Sequence, residues 1–96
     1  MSATESYLQK IGFTGDIDNL DVVLDFIEDK NIYIETKINS YSTSLGPLHE
    51  YSAKVYYISS GSMDKELITE TPDCSSLMGV LRLSVLYAAR YLSNKN

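Results

Sequence analysis

The stretch DNLDVVLDFIEDKNIYIETKINSY, residues 18–41, decides the fold, because its apolar residues change period partway along. In the first half Leu20, Val23, Leu24 and Ile27 recur at i, i+3, i+4 and i+7, which lines one side of a helix. Val22 and Phe26 widen that stripe, while Asp21, Asp25, Glu28 and Asp29 gather on the opposite side. Asp18 or Asn19 supplies the N-cap, the early acids suit the positive end of the helix dipole, and Asn31 is a fair stop. A helix is therefore predicted over residues 18–30. From residue 32 the period falls to two: Ile32, Ile34, Thr36 and Ile38 point one way, and Tyr33, Glu35, Lys37, Asn39 and Tyr41 the other. A strand follows directly on the helix.

Working outward, residues 42–48 (STSLGPL) read as a loop punctuated by Gly46-Pro47. A second strand over residues 49–59 alternates Tyr51, Ala53, Val55 and Tyr57 against Glu50, Ser52, Lys54 and Tyr56. Residues 59–62 (SSGS) form a hairpin turn. Residues 64–71 make a third strand whose inward face is ambiguous, since Leu67 and Ile68 are neighbours. Thr71-Pro72-Asp73 opens a last helix over residues 75–93, with proline where its missing N–H is harmless. At the other end, residues 4–11 suit a short helix capped by Thr4, with Tyr7, Leu8 and Ile11 on one side and Gly12 and Gly15 closing it. Such a short piece needs tertiary support.

The expected fold is α+β: a three-stranded antiparallel meander with two main helices packed on one face, order α-β-β-β-α, plus a short N-terminal helix. Ile32, Ile34, Ile38, Tyr51, Ala53, Val55 and Tyr57 are expected beneath the helices. Ninety-six residues suit a single domain, residues 1–96. An apolar share of 44% and a charged share of 22% are ordinary for a globular protein and argue against disorder. The single cysteine, Cys74, excludes an internal disulfide, and no basic-then-apolar leader opens the chain. Arg82 and Arg90 interrupt the apolar final helix, so a membrane span is not expected. A cytoplasmic protein, of a bacterial cell or an infected host, is the default.

The net charge of −5 is unevenly spread. Residues 1–31 hold seven acids against Lys10 and Lys30, whereas residues 74–96 hold no acid and carry Arg82, Arg90 and Lys95. Such asymmetry lets two copies attract each other, and it disfavours binding to a phosphate backbone. The final helix is apolar on nearly every side, which calls for burial on nearly every side. With Leu77, Leu81, Ala88 and Leu92 against the sheet, Gly79, Leu83, Leu86 and Arg90 lie opposite, flanked by Arg82. Glycine there permits close helix approach, and the two leucines make an apolar centre rimmed by arginines. Gly79, Arg82, Leu83, Leu86 and Arg90 are accordingly the candidate self-association surface, and a homodimer is expected.

The α-β-β-β-α order resembles the double-stranded-RNA-binding domain in topology. That family grips phosphates with lysines at the start of its last helix, where this chain has Asp73-Cys74-Ser75-Ser76, so the resemblance stops at topology. Leu20-Asp21-Val22-Val23-Leu24, Tyr51-Ser52-Ala53-Lys54-Val55-Tyr56-Tyr57 and Thr69-Glu70-Thr71-Pro72-Asp73, with the run ending Leu86-Tyr87-Ala88-Ala89, resemble small bacteriophage proteins with an ABA-sandwich domain. That resemblance covers roughly residues 18–92 and implies a phage or prophage accessory protein without assigned chemistry.

Catalysis is not expected. His49, the lone histidine, reads as a solvent-facing residue at the start of a strand, and nucleophilic catalysis needs several converging groups. Cys74, in the first turn of the predicted helix, reads as a small apolar residue beside Leu77 and Leu81 rather than a thiolate activated by the helix dipole. Asp16, Asp18 and Asp21 lack the glycine and distal glutamate of a calcium loop. No metal or cofactor is expected. Tyr33, Tyr41 and Tyr56 alternate out of phase with the core; packing or interface roles outweigh base stacking, because Glu35, Glu50, Glu66 and Glu70 repel phosphates. The expected partner is a protein, a second copy first, with no direct nucleic-acid or membrane binding. The alternative is an acidic inhibitor or nucleic-acid mimic that blocks a basic nucleic-acid-binding protein or nuclease, docking through Asp21, Asp25, Glu28 and Asp29.

Overall fold

A computed structural model describes residues 3–59 and 64–95. Its elements are α1 (Ala3–Lys10), α2 (Leu20–Glu28), β1 (Ile32–Thr43), β2 (Gly46–Ile58), β3 (Lys65–Glu70) and α3 (Leu77–Lys95). The strands form one antiparallel sheet in the order β1-β2-β3. This is the predicted α+β meander with its short N-terminal helix. The hairpin turn expected between β2 and β3 lies mostly outside the described residues.

The change of period becomes a change of element where it was read. Asn19 caps α2, its side-chain oxygen accepting the Val22 N–H at 3.4 Å. Asn31 then adopts a left-handed φ of 69°, a conformation asparagine tolerates better than most residues. The chain turns there, and Ile32 enters the sheet opposite Tyr57.

The core lies between the sheet and the helices. Val23 and Ile27 of α2, Val85, Ala88, Ala89 and Leu92 of α3, and Ile32 and Val55 of the sheet are all buried in it. The N-terminal segment contributes more than its length suggests: Leu8, Ile11 and Phe13 are buried in the same cluster, and the Phe13 ring packs against Phe26 with centroids 5.1 Å apart. That apolar contact is the tertiary support an eight-residue helix needs.

Four expectations are corrected. The loop over residues 42–48 is mostly strand, since β1 and β2 stay paired out to Thr43↔Gly46, and Gly46 closes the turn at φ 118°. Ile38 faces the helix side but is 61% exposed, because the paired strands run on beyond the helices. The Thr71-Pro72-Asp73 segment does not open α3; it continues beside β2, with Thr71 bonded to Ala53 and Cys74 bridged to Tyr51. Ser76 begins the helix instead, its hydroxyl accepting the Gly79 N–H at 3.3 Å. Finally, Leu77 is exposed and Leu81 half-buried; the buried line of α3 runs through Val80, Ser84, Val85 and Ala88. In β3 the ambiguity resolves with Ile68 against the core and Leu67 exposed.

The long hairpin makes the molecule elongated, 49 × 34 × 19 Å, with a radius of gyration of 14.6 Å. A compact domain of this length would have about 12.5 Å.

Candidate interaction surfaces

Among the described residues the hairpin arm carries the two most exposed large apolar side chains, Leu45 and Ile38, with Tyr41 and Leu48 also exposed. Ile38 and Tyr51 face each other across β1 and β2 on the helix side, and Tyr41 and Leu48 on the other. Leu45, at the turn, is 99% exposed. Large apolar residues concentrated at one end of a molecule mark an interaction site more than a scatter of single ones does. The Ser40 hydroxyl lies 3.0 Å from His49 Nδ1 on the same arm, and both residues are exposed. Asn39 and Glu50 alternate to the other face, so neither orients that imidazole as the third member of a catalytic array would.

On the outer sheet face Tyr33 and Tyr56 pack at 6.1 Å, and Lys65 Nζ sits 5.0 Å and 4.8 Å from the two ring centroids. This cation–π contact already occupies aromatic surface that a stacked base would use. On the opposite face Tyr57 and Tyr91 pack at 5.6 Å beneath Lys95, whose Nζ is 3.8 Å from the Tyr57 centroid. The Tyr91 hydroxyl donates to Glu66 Oε2 at 3.2 Å. Desolvation, then the hydrogen bond and charge of Glu66, hold the Tyr91 phenol above its ordinary pKa, with Lys95 opposing. The cluster ties the end of α3 to β2 and β3.

Gly79, Leu83, Leu86 and Arg90 follow one another at i, i+4, i+7 and i+11, away from the buried line of α3. Arg90 is exposed; Gly79, Leu83 and Leu86 are half-buried. A Cβ at Gly79 would meet only Ser76, at 3.8 Å, so nothing described in the monomer requires glycine there. Arg82 does not join that stripe. It turns toward the acidic N-terminal part and lines two adjoining clefts of about 490 and 540 Å³, which share Asp18 and Leu20.

Asp21, Asp25, Glu28 and Asp29 are all exposed along α2 and its C-cap. Cys74 lies outside α3, partly buried, with its thiol 3.5 Å from the Pro72 carbonyl, and not in the first turn of the helix. Asp16 Oδ1 accepts the Asp18 N–H at 2.9 Å, a turn-closing role. Among the described residues no three His, Cys, Asp or Glu side chains are grouped to hold a metal ion, and no helix is long and apolar enough to cross a membrane.

Sequence reasoning missed the arm. Its signal was Leu45 and Leu48 in a segment taken for loop, together with an isoleucine in phase with the core but beyond its reach. Compared with family models, with curated proteins and with solved structures, the chain matches none.

Proposed function

We propose that this is a small non-enzymatic protein-interaction protein that acts as a homodimer. The observation that carries the reading is the apolar surface of the arm, Ile38, Tyr41, Leu45 and Leu48, left outside the core. Burial of such surface at about 25 cal/mol per Å² is the usual driving force of association. The contrast between the acidic N-terminal part and the basic final helix supports attraction between copies. A phage or prophage setting belongs to the same proposal and rests on the sequence resemblance. Sedimentation velocity over a wide concentration range tests the homodimer: a concentration-dependent shift to twice the mass is expected, and a chain that stays monomeric throughout ends the proposal. Leu83→Glu in the same assay asks whether the outward stripe of α3 takes part.

A second reading is favoured by the exposed alignment of Asp21, Asp25, Glu28 and Asp29. There the protein is an acidic inhibitor of a basic nucleic-acid-binding protein or nuclease. Under that reading, Asp25→Lys with Asp29→Lys abolishes inhibition of the captured partner in a nuclease protection assay; unchanged inhibition leaves a solvated helix face.

A further inference from the structure

Among the described residues β1 is a sheet edge, with β2 as its one neighbour. An edge strand offers the outward half of its N–H and C=O groups to any strand that comes alongside, and natural edges are commonly blunted by proline, a bulge or shortness. β1 has twelve residues and no proline. Its register with β2 runs unbroken from Ile32↔Tyr57 to Thr43↔Gly46.

The middle of this edge, Ile34-Glu35-Thr36-Lys37-Ile38, is complementary to itself when reversed. Two copies of one strand pairing antiparallel are related by a two-fold axis, so the contact of one residue with another is made twice. With the axis at Thr36, Glu35 faces Lys37 of the second copy, Lys37 faces its Glu35, and Ile34 and Ile38 face each other on the helix side. An axis at Glu35 or Lys37 would set like charges opposite one another. An axis at Ile38 would set Lys37 against Asn39 and Glu35 against Tyr41. Thr36 is the centre that matches both charge and apolarity.

The charges of the monomer point to the same register. Glu70 is opposite Lys54 and Lys54 is opposite Glu35, so a row of alternating sign crosses the outer face and stops at the open edge on an acid. Lys37 of a second copy continues that row. On the helix side Ile38, most of whose surface is exposed, gains the Ile34 of the second copy.

We propose that two copies join edge to edge through β1, antiparallel about Thr36, into one continuous six-stranded sheet. This rests on the homodimer reading and specifies the part of the arm that pairs, which includes Ile38 and not Leu45 or Leu48.

Charge reversal tests it. By sedimentation equilibrium, Glu35→Lys and Lys37→Glu each weaken self-association about tenfold or more, because every reversal turns two attractive pairs into repulsive ones. The double reversal recovers most of the parent affinity, since opposite charges face again. In a Cys74→Ser chain, Thr36→Cys forms a covalent dimer under mild oxidation, while Asn39→Cys, facing Tyr33 of the second copy, does not. A parent that dimerises equally well with either single reversal overturns the β1 pairing and leaves the homodimer standing. A parent monomeric at every concentration overturns both.

Discussion

Replacing Thr71 by valine removes one oxygen and keeps the shape of the side chain. Thr71 Oγ1 accepts the Ala53 N–H at 2.9 Å, and the Thr71 N–H donates to the Ala53 carbonyl at 2.8 Å; both residues are buried. Valine leaves the Ala53 amide without its acceptor where water does not reach, at a cost of about 1–3 kcal/mol. The added methyl returns about 0.8 kcal/mol, so the net loss is at most about 2 kcal/mol. For a chain of this length each kcal/mol moves Tm by about 4–8 °C, which places Thr71→Val below the parent by up to about 16 °C. Thermal melts by far-ultraviolet circular dichroism give that shift. Native-state hydrogen exchange locates it, with the Ala53 amide losing protection in Thr71→Val and keeping it in Thr71→Ser. A Thr71→Val chain that melts at or above the parent refutes the role assigned to this hydroxyl.

Three further outcomes follow from the same geometry. Val55 is fully buried, so Val55→Ala costs about 2 kcal/mol or more in urea denaturation. Ile38→Ala, measured at concentrations where the chain is monomeric, costs about 1 kcal/mol or less; a loss as large as that of Val55→Ala would place Ile38 in the monomer core. Because folding raises the Tyr91 pKa, its contribution is fully present below pH 10 and is lost as pH rises through the folded value, so the stability gap between parent and Tyr91→Phe narrows above pH 10. Urea titrations at pH 8 and pH 11 check this, and a widening gap would contradict it.

The α2-to-β1 switch is legible from sequence because a change of period needs only local side-chain spacing, and the cap at Asn19 and the turn at Asn31 sit where their chemistry puts them. Ile38 shows what periodicity omits. It reports which face a residue occupies, not how far the opposing layer extends: β1 spans about 40 Å at strand rise, while the nineteen residues of α3 span about 28 Å. Thr71-Pro72 failed for a different reason. A threonine before a proline marks the end of one element as readily as the start of another, and only the bonds to Ala53 distinguish the two. The outward stripe of α3 was readable as a helical face, but the turn of Arg82 toward Asp18 depends on where α1 and the loop after it pack. The complementarity around Thr36 stands in the sequence as well. What gives it meaning is the strand order, which places β1 at the edge.

Amide hydrogen exchange along β1, followed at low and high protein concentration, tests the edge-to-edge dimer most directly. As concentration rises, the outward-facing alternate amides between Ile32 and Ser40 should gain protection, while the amides paired with β2 stay protected throughout. Outward amides that exchange at the same rate at every concentration, with or without new protection on α3, would contradict the pairing.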